Sequence, residues 1–122
     1  MSTKKESLDY FGQFLMKYFR DRTLMTLENA MKKKWEGASF TEFQEFLQTL
    51  TEDQKKIIFS GFQEMIDGAL HDLLFGLQEE NHFTGRIKIL VDEYDVVQIS
   101  DGIHGEQYSK DGWIEKFSTY KS

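Results

Sequence analysis

The chain has no cysteine and no proline in 122 residues. Without cysteine there is no disulfide framework, no thiolate metal site and no thiol nucleophile, and a reducing compartment is permitted. Without proline, turning the chain falls to glycine and to Asp-Gly pairs, which tolerate turn conformations. Long apolar runs are missing too. The longest fully apolar stretches are three residues, such as Leu73-Leu74-Phe75, so no segment reads as a bilayer span. At the N-terminus MSTKKES leads into Leu8, Tyr10 and Phe11 at helical spacing, with neither the apolar region nor the small-residue cleavage site of an export signal. The expected location is the cytoplasm.

Positive charge is also scarce. Lys and Arg number 15 against 21 Asp and Glu, for a net charge of −6 and a pI near 5.0. That balance argues against a nucleic-acid backbone as the partner, because such binding draws on clustered cations that displace counterions. The longest basic run, Lys32-Lys33-Lys34, precedes Trp35 and Gly37, where cations complement the carbonyl end of a helix and glycine closes it. A membrane surface would require a basic amphipathic helix, whereas residues 8–35 mix signs. The phosphate loops GxGxxG and GxxxxGK[ST], the HExxH zinc pair and the nucleophile elbow are all absent, and no cofactor is indicated.

What is present is a chain of one domain's length, 39% hydrophobic and 15% aromatic, able to bury a core unaided. Residues 1–122 read as a single domain. From about residue 7 to residue 77 the apolar positions follow helical periodicity. Leu8, Phe11, Phe14, Leu15, Tyr18 and Phe19 share one face, and Leu24, Leu27, Met31 and Trp35 share a nearly opposite one. The change falls at Arg20-Asp21-Arg22-Thr23, where no Gly or Pro forces a stop, so one long helix is expected over two. Ser39-Phe40-Thr41-Glu42 and Thr51-Glu52-Asp53-Gln54 match the capping box and predict two further helix starts. The helix from about Glu52 to Leu77 carries Ile58, Phe62, Met65, Ile66, Ala69, Leu70 and Leu73, and is expected to be central and buried on several sides. It also contains Gly61, Gly68 and Gly76; Gly61 and Gly68, seven apart on one stripe, leave room for close approach of another backbone or for a ligand in the same groove.

Beyond Asn81 the pattern turns β-branched. Arg86–Val91 and Val96–Ser100 read as strands joined by the loop Asp92-Glu93-Tyr94-Asp95. The predicted fold is therefore α+β: three or four helices over the N-terminal two-thirds, a C-terminal β-hairpin, and a short terminal helix or turn, capped by Ser109 or Asp111, that contains Trp113, Ile114 and Phe117. The glycine-rich stretch SDGIHGEQYSKDGW, residues 100–113, then lies at the hairpin rim, where loops carry function. Two chemistries fit it. Asp101, Glu106 and His104, with His71 and Asp72 of the long helix, supply the imidazole and carboxylate donors of a zinc, manganese or iron hydrolase. Alternatively Asp101, His104, Glu106, Tyr108, Trp113 and Tyr120 form a contact surface for another protein, because aromatics dominate binding hot spots.

The segments GALHDLLFGLQE and LVDEYDVVQISDGIHGEQYSKDGWIEKFS resemble a family of small stand-alone bacterial proteins of unknown function. The resemblance is carried by His71-Asp72, by Asp101-Gly102-Ile103-His104-Gly105-Glu106 and by Asp111-Gly112-Trp113. It implies a bacterial cytosol and a single-domain product, and brings no activity with it. Small acidic proteins of this kind resemble immunity or antitoxin proteins that neutralise a partner. With catalytic signatures missing, the expected function is protein binding rather than catalysis, with the metal-dependent hydrolase as the alternative. A homodimer is compatible with either.

Overall fold

The computed structural model describes residues 3–32 and 40–121. Lys33 and Lys34 of the lysine run, Trp35, the Gly37 cap and Ser39 of the first capping box lie outside the described residues. Helix α1, Lys4–Leu15, starts at a capping box of Thr3 and Glu6. It continues through a π-helical stretch, Met16–Asp21, into α2, Arg22–Met31, without a break. One continuous helix is therefore the outcome over residues 4–31. The π stretch explains the change of apolar face, since its wider turn inserts an extra residue and rotates all that follows.

Helix α3, Thr41–Gln48, follows Phe40, which has a positive φ of 62°. Helix α4 spans Glu52–Phe83, and its predicted capping box is present between Thr51 and Gln54. It runs past the expected end at Leu77, and it is not buried all round: only Ile66, Leu70, Leu74 and Asn81 are buried. Of these, Leu70 and Leu74 pack with Met16, Val96, Val97, Ile103, Trp113 and Ile114 in the main core. A second buried group, Leu24, Leu27, Ala30 and Leu47, lies where α3 meets α2.

The hairpin is shorter than predicted. Strands β1, Leu90–Val91, and β2, Tyr94–Asp95, pair antiparallel through Leu90 with Asp95 and Val91 with Tyr94. The turn is the two residues Asp92 and Glu93, both at positive φ, as tight hairpin turns require. The residues read as a second strand instead form a short helix, α5, Val96–Ile99. Asp95 decides this: its carboxylate accepts the Val97 N–H at 3.1 Å, the bond of a helix N-cap. The adjacent Val96 and Val97 are also both buried, whereas alternation along a strand would expose one of them. The buried Asn81 of α4 holds this unit, donating to the Ile87 carbonyl at 3.0 Å and to the Asp95 carboxylate at 2.8 Å. A 3₁₀ turn at Ile103–Gly105 and helix α6, Trp113–Phe117, complete the chain. Gly112 takes the N-cap position of α6, where Ser109 or Asp111 was expected.

Two contacts lock these parts. Trp113 packs into the side of α1 at Gly12, where an added Cβ would stand 2.3 Å from the indole Nε1. Arg20, fully buried in the π stretch, grips Asp67 of α4 with two bonds of 2.7 and 3.2 Å. Its remaining nitrogen donates to Ser118 Oγ at 2.8 Å and to the Tyr120 carbonyl, which ties down the C-terminal tail. Removing the carboxylate by Asp67→Ala leaves a buried guanidinium without its counter-charge and is expected to cost about 3–5 kcal/mol. Urea unfolding checks this, and the double change Arg20→Met with Asp67→Leu should recover a large part of the loss.

Candidate functional site

Two elements build one surface cluster of rings. Helix α4 presents His71, Asp72, Phe75 and Gln78, with His71, Phe75 and Gln78 at the spacing that aligns side chains along one helix face. The loop after α5 lies against them, anchored by Ile103, which is fully buried in the core. Gln78 joins the two: its Oε1 accepts the Ile103 N–H at 3.0 Å and lies 3.2 Å from His104 Nδ1. Because a backbone N–H only donates, that Gln78 atom is the oxygen, and His104 Nδ1 must carry the proton. The carboxylate of Asp72 makes the same assignment for His71, whose Nδ1 stands 3.3 Å away. Each imidazole thus keeps its Nε2 without a hydrogen-bond partner among the described residues.

The rings interlock edge to face. His71 and His104 have centroids 5.2 Å apart at 83°, and Phe75 meets His104 at 5.3 Å and 89°. Tyr108 lies 6.2 Å from His71 and donates its hydroxyl to the Asp67 carbonyl at 3.2 Å. The buried Gln107 donates to that carbonyl as well, at 2.9 Å, while its own Oε1 finds no partner. Asp67 therefore serves the loop with its backbone and Arg20 with its side chain.

The predicted residues separate into several places. His71, Asp72, His104 and Tyr108 come together. Asp101 and Glu106 line a shallow groove with Lys4, Lys5, Leu8, Ile99 and Ser100. Glu106 there accepts a bond from Ser100 Oγ at 3.2 Å, and so helps shape its own turn. Trp113 is not on the surface: it is 2% exposed, because Gly12 leaves room for the indole beside α1 and Phe11 packs edge-on against it at 6.0 Å. Tyr120 lies apart, its ring 5.9 Å from Phe59, at the margin of a cavity of about 740 Å³ that Met31, Lys32, Lys55 and Lys56 also line. Among the described residues, no three or more His, Asp or Glu side chains stand close enough to share a metal ion. Phe75, Gln78 and Asp67 are the site residues that sequence reasoning missed. The spacing of Phe75 and Gln78 from His71 was the available signal, and Asp67 had none.

Burial holds the phenols of Tyr108 and Tyr120 above the usual tyrosine pKa, assisted by the charges of Asp67 and Asp72 at Tyr108 and of Glu28 and Asp21 at Tyr120. The raised value belongs to the folded state. The protonated phenols therefore contribute stability that is complete below the unfolded value, near pH 10, and lost as pH climbs through the folded one. Tyr108→Phe removes one such term, so unfolding free energies measured from about pH 9 to about pH 11 should fall less steeply than in the parent protein.

A family model described as a family of unknown function (DUF6547) matches residues 4–117. No curated protein and no solved structure matches. With nearly the whole chain covered, including the ring cluster and every element from α1 to α6, the protein belongs to the DUF6547 family.

Proposed function

We propose that the protein is a binding module whose contact surface for another protein is the cluster of His71, Phe75, His104 and Tyr108. The observation that carries this reading is the edge-to-face interlock of His71, His104 and Phe75 on a long helix, fixed from behind by Gln78 and Asp67. Rings held in this way lose little conformational freedom on binding, and aromatic side chains of this type anchor interfaces. A net charge of −6 suits a basic partner and fast electrostatic encounter. In its finer form the reading is an immunity-like or antitoxin-like inhibitor acting in the cytoplasm.

The test places a photo-crosslinking amino acid at Tyr108 in the native host, with the exposed Gln13 of α1 as the control position. One discrete protein adduct is expected from Tyr108, and none from Gln13. Against the captured partner, His104→Ala should weaken binding roughly tenfold or more. No adduct from Tyr108, or the same adducts from both positions, would remove the reading.

The second reading, the metal-dependent hydrolase expected from His71, Asp72, Asp101 and His104, loses Asp101 to the separate groove and keeps one observation in its favour: two imidazole rings with centroids 5.2 Å apart, whose Nε2 atoms have no hydrogen-bond partner among the described residues. Calorimetric titration with zinc decides it. Stoichiometric uptake lost in His104→Ala supports the hydrolase, and lack of uptake removes it.

A further inference from the structure

The segment that leads from α4 into the hairpin uses only one of its two edges. From residue 85 to residue 89 the chain runs without turn, bend or helix and then enters β1. One edge is tied down along its length: the Ile89 carbonyl accepts the Val96 N–H at 2.9 Å, the Ile87 carbonyl accepts the Asn81 amide at 3.0 Å, and Val91 pairs with Tyr94. Backbone groups of successive residues in an antiparallel strand point to opposite sides. The direction fixed at Ile87, Ile89 and Val91 therefore turns the N–H and C=O groups of Lys88 and Leu90 the other way, although Leu90 stands opposite Asp95 in the ladder. Among the described residues those groups have no hydrogen-bond partner. The side chains alternate as well. Ile89 and Val91 pack against the core, whereas Leu90 is 64% exposed and Arg86 and Lys88 are exposed. Neither cation forms a salt bridge among the described residues. An open edge of this kind is a template for one more strand.

We propose that this edge receives an extended acidic segment of another protein, which adds a third strand to the hairpin by pairing with Lys88 and Leu90. In this mode main-chain bonds supply affinity and alternate side chains supply selectivity. The incoming strand sets its outer side chains beside Arg86, Lys88 and Leu90, so the fitting pattern is two acids two residues apart, with an apolar residue two further along. The net charge of −6 does not oppose this contact, because it is made at the positive end of the strand. Asp92 and Glu93 stand about 13 Å or more from Lys88 along an extended chain, beyond a screening length of about 10 Å. A second copy of this chain fits poorly. Its own outer positions offer two cations a single acid, Asp92, which is held in the tight turn and accepts from Ser7 Oγ at 3.3 Å. The edge includes no residue of the ring cluster, so this contact and the proposed binding surface stand or fall separately.

The probe is the synthetic peptide TLTETET, which in antiparallel pairing sets its leucine beside Leu90 and its glutamates beside Lys88 and Arg86. Amide hydrogen exchange of the full chain, read by NMR, reports each donor separately. With peptide at about 1 mM the Lys88 and Leu90 amides should slow by roughly tenfold, since a site with a Kd of about 0.1 mM is then about nine-tenths filled. Val91, already paired in the ladder, should not change. The double change Arg86→Glu with Lys88→Glu should lose that protection and gain it from TLTKTKT. Both positions are exposed, so unchanged circular dichroism is expected and shows that the fold survives. TLTETET N-methylated at its leucine and first glutamate should give no protection, because it cannot donate to the edge and its methyl groups hold it away. Lack of protection by TLTETET, protection that the charge-reversed protein keeps, or binding indifferent to N-methylation overturns the proposal. Protection of Lys88 and Leu90 that rises with the concentration of the protein alone shows self-pairing and overturns it too.

Discussion

Three parts of the chain that are remote in sequence meet at the guanidinium of Arg20. It lies inside the helical rod where the π stretch widens the turn, and it takes both oxygens of Asp67, the Ser118 hydroxyl and the Tyr120 carbonyl. Asp21, the next residue, accepts from Ser118 Oγ and from the Thr119 N–H. A buried ion pair contributes little net stability over a well-packed apolar pair, because both ions lose their hydration. What this one supplies is direction, since a planar fork fixes where each acceptor must stand. α4 is thereby held at one rotation against the rod, and the tail is closed over the contact.

That rotation determines the ring cluster. The carbonyl of Asp67 receives Gln107 and Tyr108, and one turn further along α4 His71 meets His104. The loop itself spends most of its polar groups on its own shape, with Ser100 joining Gly102 to Glu106 and Gln78 joining Ile103 to His104. Asp101 and Glu106 therefore belong to a turn and a groove, while His104 and Tyr108 remain as the parts that project. Of the predicted acids, Asp72 is the one that stays beside an imidazole, 3.3 Å from His71 Nδ1.

The sequence was legible wherever one local interaction decides the outcome. The Thr51–Gln54 capping box marks the start of α4 because both bonds are made within four residues. The change of face near Arg20 was visible as a change of period, although only the backbone shows that a π stretch causes it. Reading failed where tertiary demands overrode propensity. Val96-Val97 has strand composition, yet an Asp95 cap and burial of both valines make it helical. Trp113 beside a turn suggested a surface anchor, and nothing in its neighbourhood announces that Gly12, at the far end of the chain, is shaped to receive it. His71 and His104 meet through a loop path that no spacing rule encodes.

The glycines carry the same lesson. Gly12 sits in α1 among residues of ordinary helical pattern, and among the described glycines it is the one whose added Cβ would collide with a side chain. Gly61, Gly68 and Gly76 form the conspicuous series, and they face open space. The rod, the Arg20 grip and the Gly12 notch share one consequence: they fix α4 firmly enough that one side serves the core while another sets His71 and Phe75 against the loop that carries His104.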